Sequence, residues 1–233
     1  MGRPFIPAKL GDNPHLDREE YLESLNQLDP VTRAQLLNGD WKARPRGGMF
    51  QRERFFMVDW DEVPEQIRWL RFWDLAATEP RPGKEPDASA GALVGFYDGD
   101  WYIGDIDWFQ AEPPVVEKRL EQRAREDGTA VMIRMEQEPG SSGKIAADHF
   151  ARRVFYGYDF AAIRSTGSKA VRAAPVSAAA GNGHVYVVRG PWVSAFFDEI
   201  ESFPEGAHDD RVDAVSGAVG ALASEGTPNL RFL

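Results

Sequence analysis

The sequence predicts an α/β fold, a mixed β-sheet with helices on both faces, preceded by a short helical appendage. Three observations carry this expectation. Residues 67–75 (IRWLRFWDL) form one apolar and aromatic run, the pattern of a central strand covered on both sides. Two further strand patterns, 90–97 and 100–108, are joined by Asp98-Gly99, a dipeptide suited to a two-residue hairpin turn. Beyond the hairpin, helix and strand patterns alternate, and a layered sheet with helices on both faces accommodates that order.

Taken in chain order, residues 1–56 read as a helical linker segment and 57–233 as one α/β domain. Asp17 with Glu20 has the spacing of a capping box, and Tyr21, Leu22, Leu25 and Leu28 recur at helical period before Pro30. A second short helix is expected over 31–37, stopped by Asn38-Gly39. The stretch 41–54, with Lys42, Arg44, Arg46, Arg52, Arg54 and Gly47-Gly48, reads as a flexible basic linker. After the hairpin, Pro113-Pro114 opens a charged helix to about Glu126, which Asp127-Gly128 ends. Residues 130–136 (AVMIRME) read as a buried strand, followed by a helix over 143–156. Strands at 160–165 and 184–188 flank a helix that starts near Ser168, and helices at 192–202 and 209–223 close the chain.

Composition bounds the function. The chain has 233 residues, and 14 Phe with 7 Trp supply a sizeable core. No apolar run reaches the roughly 20 residues of a membrane span, and Met1-Gly2-Arg3-Pro4 lacks the apolar stretch of a signal peptide. With no Cys, disulfides and thiolate metal sites are excluded, leaving carboxylates and four His as metal ligands. The net charge of −10 argues by itself against a nucleic-acid partner. Its distribution argues otherwise. Residues 160–191 hold Arg164, Lys169, Arg172 and Arg189 and no acid, whereas 192–213 hold Asp198, Glu199, Glu201, Glu205, Asp209, Asp210 and Asp213 against Arg211 alone. A basic strip beside an acidic cluster suits an enzyme that holds phosphates on one surface and metal ions on another.

Three acidic positions carry the chemistry. Asp74 ends the first apolar strand, where a carboxylate is costly to bury unless it is paired or binds a cation. Glu136 ends the strand 130–136, with Glu138 two positions on and able to point the same way. Strand ends at the edge of an open α/β sheet are where such folds place their sites. The third is His208-Asp209-Asp210-Arg211-Val212-Asp213-Ala214. Asp210 and Asp213 lie three apart and Asp209 and Asp213 four apart, so both pairs share a helix face. Asp209 and Asp210 also suit the positive end of a helix, which leaves Asp213, placed among Ala214, Val215, Ala218 and Val219, still to be explained. An all-oxygen ligand set favours Mg²⁺ or Mn²⁺, and two such ions activate water and stabilise a leaving oxygen in phosphodiester hydrolysis. Glu138 to Lys144 imitates a phosphate-binding P-loop, but Glu138 stands where its first Gly belongs and Ile145 where its Ser/Thr belongs. Lys144 can still meet a phosphate at a helix N-terminus, and Lys169 and Arg172, three apart, are candidate contacts to a DNA backbone.

These residues resemble the large terminase subunits of tailed phages. The resemblance runs through Phe5-Ile6-Pro7-Ala8, Asp12-Asn13-Pro14 and Leu37-Asn38-Gly39-Asp40-Trp41, then Trp73-Asp74-Leu75-Ala76 and Glu136-Gln137-Glu138-Pro139-Gly140 with Gly143-Lys144. It continues through Lys169 with Arg172-Ala173, Trp192, and Phe203-Pro204 leading to the Asp209–Asp213 cluster. The resemblance implies a ribonuclease H-like nuclease domain, with Asp74, Glu136, Asp209, Asp210 and Asp213 holding two Mg²⁺ or Mn²⁺ ions. Lys144, Arg164, Lys169 and Arg172 would contact double-stranded DNA. It further implies a separate ATPase domain, a small terminase subunit and a portal protein as partners, and the cytoplasm of an infected or lysogenic bacterium as the setting. No ATPase activity is expected from this chain, which starts where that domain would end. The alternatives are a junction resolvase-like nuclease on the same fold and a non-catalytic module docking DNA or a portal.

Overall fold

A computed structural model describes residues 48–76, 88–206 and 208–225. The two expected N-terminal helices and the linker up to Arg46-Gly47 lie outside the described residues. The chain divides between Gly48 and Met49, and the architecture below is that of the unit Met49–Leu233.

Seven strands are found among the described residues: β1 (Phe56–Val58), β2 (Arg68–Asp74), β3 (Ser89–Tyr97), β4 (Asp100–Phe109), β5 (Met132–Glu136), β6 (Phe160–Ile163) and β7 (Val185–Val188). Five helices accompany them: α1 (Pro113–Asp127), α2 (Ser141–His149), α3 (Lys169–Gly181), α4 (Val193–Ser202) and α5 (Asp210–Glu225). A π-helical turn, Phe150–Val154, continues α2. The sheet runs β1-β7-β4-β3-β2-β5-β6. β2, β3 and β4 pair antiparallel, while β5 joins β2, β6 joins β5, β7 joins β4 and β1 joins β7 in parallel. The mixed sheet expected from the sequence is present, and each strand and helix expected among the described residues lies within two residues of its place, the helix over 143–156 being completed by the π-helical turn. At the hairpin, Asp98 (φ 49°) and Gly99 (φ 92°) both take positive φ, as the tight turn requires.

Alternation along the strands divides the core in two. Leu70 and Phe72 of β2 face α3, α4 and α5, whose Ala173, Val176, Phe196, Ile200, Val215 and Val219 fill one core. Trp73 faces the other way, onto Phe109, Leu120, Ala124 and Phe155 beneath α1 and the π-helical turn. Two glycines let neighbours close on β2. A Cβ at Gly91 would overlap the Trp73 ring, and one at Gly217 would overlap the Phe72 ring. The strand that ends in Asp74 is thereby gripped from the adjacent strand and from α5.

The segment read as a linker contributes to this core from Met49 onward. Phe50 and Phe55 are buried in the larger cluster, and the Arg52 guanidinium lies 4.6 Å from the Phe197 ring centre. Residues 52–54 form a 3-10 turn rather than a flexible connector. β1 had no counterpart in the sequence reading, because three residues at a sheet edge are too few to show a period.

Candidate metal centre at the strand ends

β2 and β5 are parallel neighbours, with Trp73 opposite Met135, so Asp74 and Glu136 follow one step later at the same end of the sheet. β4 runs to that end as well, bringing Trp108. α3 begins there after β6, and α5 begins there with Asp210. Four acids converge. Burial pushes the Asp74 carboxyl up from 3.8 to about 7, and the negative charges of Glu136, Asp213 and Asp210 push the same way, opposed by Arg172. Glu138, by contrast, is exposed and is not among the groups acting on Asp74. Gly143 packs against the Glu138 carbonyl so closely that any Cβ would overlap it, which fixes the turn between β5 and α2.

The acids on α5 have different partners. Asp213 is 4% exposed, and both its oxygens face cations. Arg172 Nη2 donates to Oδ1 at 3.0 Å, and Lys169 Nζ lies 3.0 Å from Oδ2. Lys169 Nζ also donates to Asp209 Oδ1 at 2.7 Å. Burial works against the Lys169 charge, but its bonds to Asp209 and Asp213 outweigh that and raise its pKa. Asp210 accepts a hydrogen bond from Trp108 Nε1 at 3.1 Å. The structure thus brings together Asp74, Glu136, Asp209, Asp210, Asp213, Lys169 and Arg172. Lys144, in the first turn of α2, and Arg164, just past β6, are exposed and are not among the groups acting on Asp74.

Behind these groups stands a residue that sequence reasoning passed over as one of an acidic run. Glu199, on α4, is buried and caps α5 from outside the helix. Its Oε1 accepts from the backbone N–H of Arg211 (2.6 Å) and of Val212 (3.0 Å), and its Oε2 accepts from Arg211 Nη1 at 2.9 Å. Burial raises the Glu199 pKa even though these bonds favour the charged form. The Arg211 guanidinium in turn lies 4.6 Å from the Trp108 ring centre. Glu199, Arg211 and Trp108 therefore fix where α5 starts, and with it Asp210 and Asp213. Spacing alone carried no signal for Glu199, since its partners lie 12 and 13 residues away on another helix.

The donor set suits a hard divalent cation: it is all oxygen and draws on two strand ends and one helix. Burial first, and then the negative charges of Glu136, Asp213 and Asp210, raise the Asp74 carboxyl, and a bound cation would favour its charged form. Among the described residues no three acids or imidazoles are gathered closely enough to hold one ion. The side-chain pairing supplies the reason, with Asp213 directed to Lys169 and Arg172 and Asp210 to Trp108.

Comparison with known proteins matches the fold and the family. Residues 71–222 match the family model of the terminase RNaseH-like domain. Among solved structures, the nuclease domain of the P22 large terminase is similar with a TM-score of 0.57 at 13% identity, over 76% of this chain and 93% of that one. The large terminase nuclease of thermophilic phage G20c with bound magnesium is similar with a TM-score of 0.54 at 14% identity, over 76% and 98%. A large terminase from another thermophilic bacteriophage, in complex with ADP, gives 0.54 at 13%, over 92% of this chain and 54% of that one. No curated protein matches the chain. The matched region runs from β2 to α5 and contains every acid of the cluster, and the chain belongs to the terminase RNaseH-like domain family.

Proposed function

We propose that this chain is a metal-dependent endonuclease that hydrolyses phosphodiester bonds of double-stranded DNA. The observation that carries the reading is the convergence of Asp74, Glu136, Asp210 and Asp213 at one end of the sheet, with Asp74 raised to about 7. Divalent ions, two Mg²⁺ or Mn²⁺ in this reading, supply the water activation and leaving-group stabilisation when bound. Asp74, Glu136, Asp210 and Asp213 are the residues assigned to hold them, with Asp209 as a further ligand. Asp74 is acted on by both Glu136 and Asp213, which suits it to serve both ions. Glu199, Arg211 and Trp108 hold the start of α5 in register with the strand ends. Lys144, Arg164, Lys169 and Arg172 are the proposed contacts to the DNA backbone, which position the duplex without reading its sequence.

Similarity to the large terminase nucleases of P22 and G20c supports a nuclease reading; the proposed substrate is concatemeric phage DNA in an infected or lysogenic host. The ADP-bound large terminase is the longer protein, and this chain spans about half its length. An ATPase domain, a small terminase subunit and a portal protein are accordingly the proposed partners. The test is cleavage of supercoiled plasmid in Mg²⁺, Mn²⁺ or EDTA by the parent and by Asp74→Ala. Nicking and linearisation that need the metal and disappear in the variant support the reading. Cleavage by Asp74→Ala at the parent rate would refute the assignment, and no cleavage under any metal would favour the docking module.

A further inference from the structure

The positive charge in this site is unevenly distributed. On the Asp74–Glu136 side, Arg172 is the cation that acts on Asp74. On the Asp213 side, both carboxylate oxygens are engaged, one by Arg172 and one by Lys169, and Lys169 bridges on to Asp209. The two cations are not equivalent. The Arg172 side chain is 20% exposed, whereas that of Lys169 is 51% exposed. Lys169 is the first residue of α3, with Ser168 as the N-cap, so its stem leaves the end of the helix with room to swing. An ammonium on a four-carbon stem is a compact point charge, the side chain best suited to trade places with an ion.

From this arrangement we infer that Lys169 is a tethered cation that competes with a divalent ion for Asp213 and Asp209. This rests on the metal-centre reading above. Two consequences follow from the geometry. The Asp74–Glu136 side, lacking such a competitor, takes a divalent ion more tightly than the Asp213–Asp209 side. A DNA phosphate that draws Lys169 away frees the Asp213 oxygen it held, so substrate and the weaker ion favour each other's binding, as linkage requires. Lys169 is a positioning residue in this scheme, and loading of the second ion waits on substrate.

The experiment is Mn²⁺ titration of the DNA-free protein, followed by calorimetry and by electron paramagnetic resonance of free Mn²⁺. The variants are Lys169→Met, Lys169→Arg and Asp74→Asn, each checked for an unchanged fold by thermal melting. The parent is expected to bind one ion tightly and one weakly. Removing one positive charge in contact with the weak site should tighten it by about tenfold in Lys169→Met, with the tight site nearly unchanged. Lys169→Arg, which keeps the charge, should stay near the parent. A weak site that is unchanged or weaker in Lys169→Met, while Asp74→Asn loses the tight site, overturns the competition and leaves the metal centre standing. Mn²⁺ binding that Asp74→Asn does not alter overturns the metal centre and the competition with it.

Discussion

Replacing Asp74 by Asn removes the acid at the middle of the site and should make the protein more stable while abolishing cleavage. The sign follows from proton binding. In the unfolded chain Asp74 releases its proton near 3.8, whereas in the folded protein it holds the proton to about 7. Between those pH values the folded state binds more protons than the unfolded one, so this group's contribution to stability is lost as pH rises through the window. A carboxyl moved from 3.8 to about 7 corresponds to about 4 kcal/mol at pH 8, at about 1.4 kcal/mol per tenfold change. Local relaxation and entering water screen part of this, so about 2 kcal/mol is the working expectation. Asn fills nearly the same volume and cannot ionise. Urea unfolding in EDTA at pH 4.5, 6 and 8 measures it, and the difference between parent and Asp74→Asn isolates the one group. The variant should lead by only about 0.5 kcal/mol at pH 4.5, about a quarter of the full effect, and by about 2 kcal/mol at pH 8. A difference that does not change with pH, or a variant less stable at pH 8, would refute the reasoning. Mg²⁺ or Mn²⁺ should narrow the gap at pH 8 by stabilising the parent more than the variant.

Three further outcomes follow from other parts of the structure. Glu199→Ala strips the cap from α5 and leaves the Arg211 and Val212 N–H groups and the Arg211 guanidinium without that acceptor; it should lower stability by about 1–3 kcal/mol and also reduce cleavage, read by melting and plasmid nicking. Gly217→Ala puts a methyl into the Phe72 ring and should cost about 1–3 kcal/mol by urea unfolding, with the loss partly recovered by Phe72→Leu on the same background. Lys144→Ala and Arg164→Ala leave the fold unchanged, since both side chains are exposed, and each should lower the slope of log affinity for duplex DNA against log salt by about one.

The sequence by itself determined the elements and the residue types of the site. A seven-residue strand declared itself in IRWLRFWDL because apolar side chains on both faces need no partner to be recognised. Asp98-Gly99 declared a hairpin because the turn's φ angles are a local requirement. The spacing within Asp209–Asp213 placed acids on one face of a helix before any fold was known. What the sequence could not decide was which of these groups meet. Glu136 and Glu138 are alike as strand-end acids, and only the pairing of β5 with β2 sets Glu136 beside Asp74 and leaves Glu138 exposed. Lys169 and Arg172 read as phosphate contacts, yet they close on acids 40 and 41 residues further along the chain. Glu199 was indistinguishable from its acidic neighbours until α4 packed beside α5. Phe50 and Phe55 sat in a stretch whose charge and glycines read as linker, and burial against α4 and Phe203 made them core. Periodicity and turn chemistry are properties of adjacent residues and survive in the sequence. Electrostatic partnership between strand ends and helix starts depends on which elements pack together, and the tertiary structure alone fixes that.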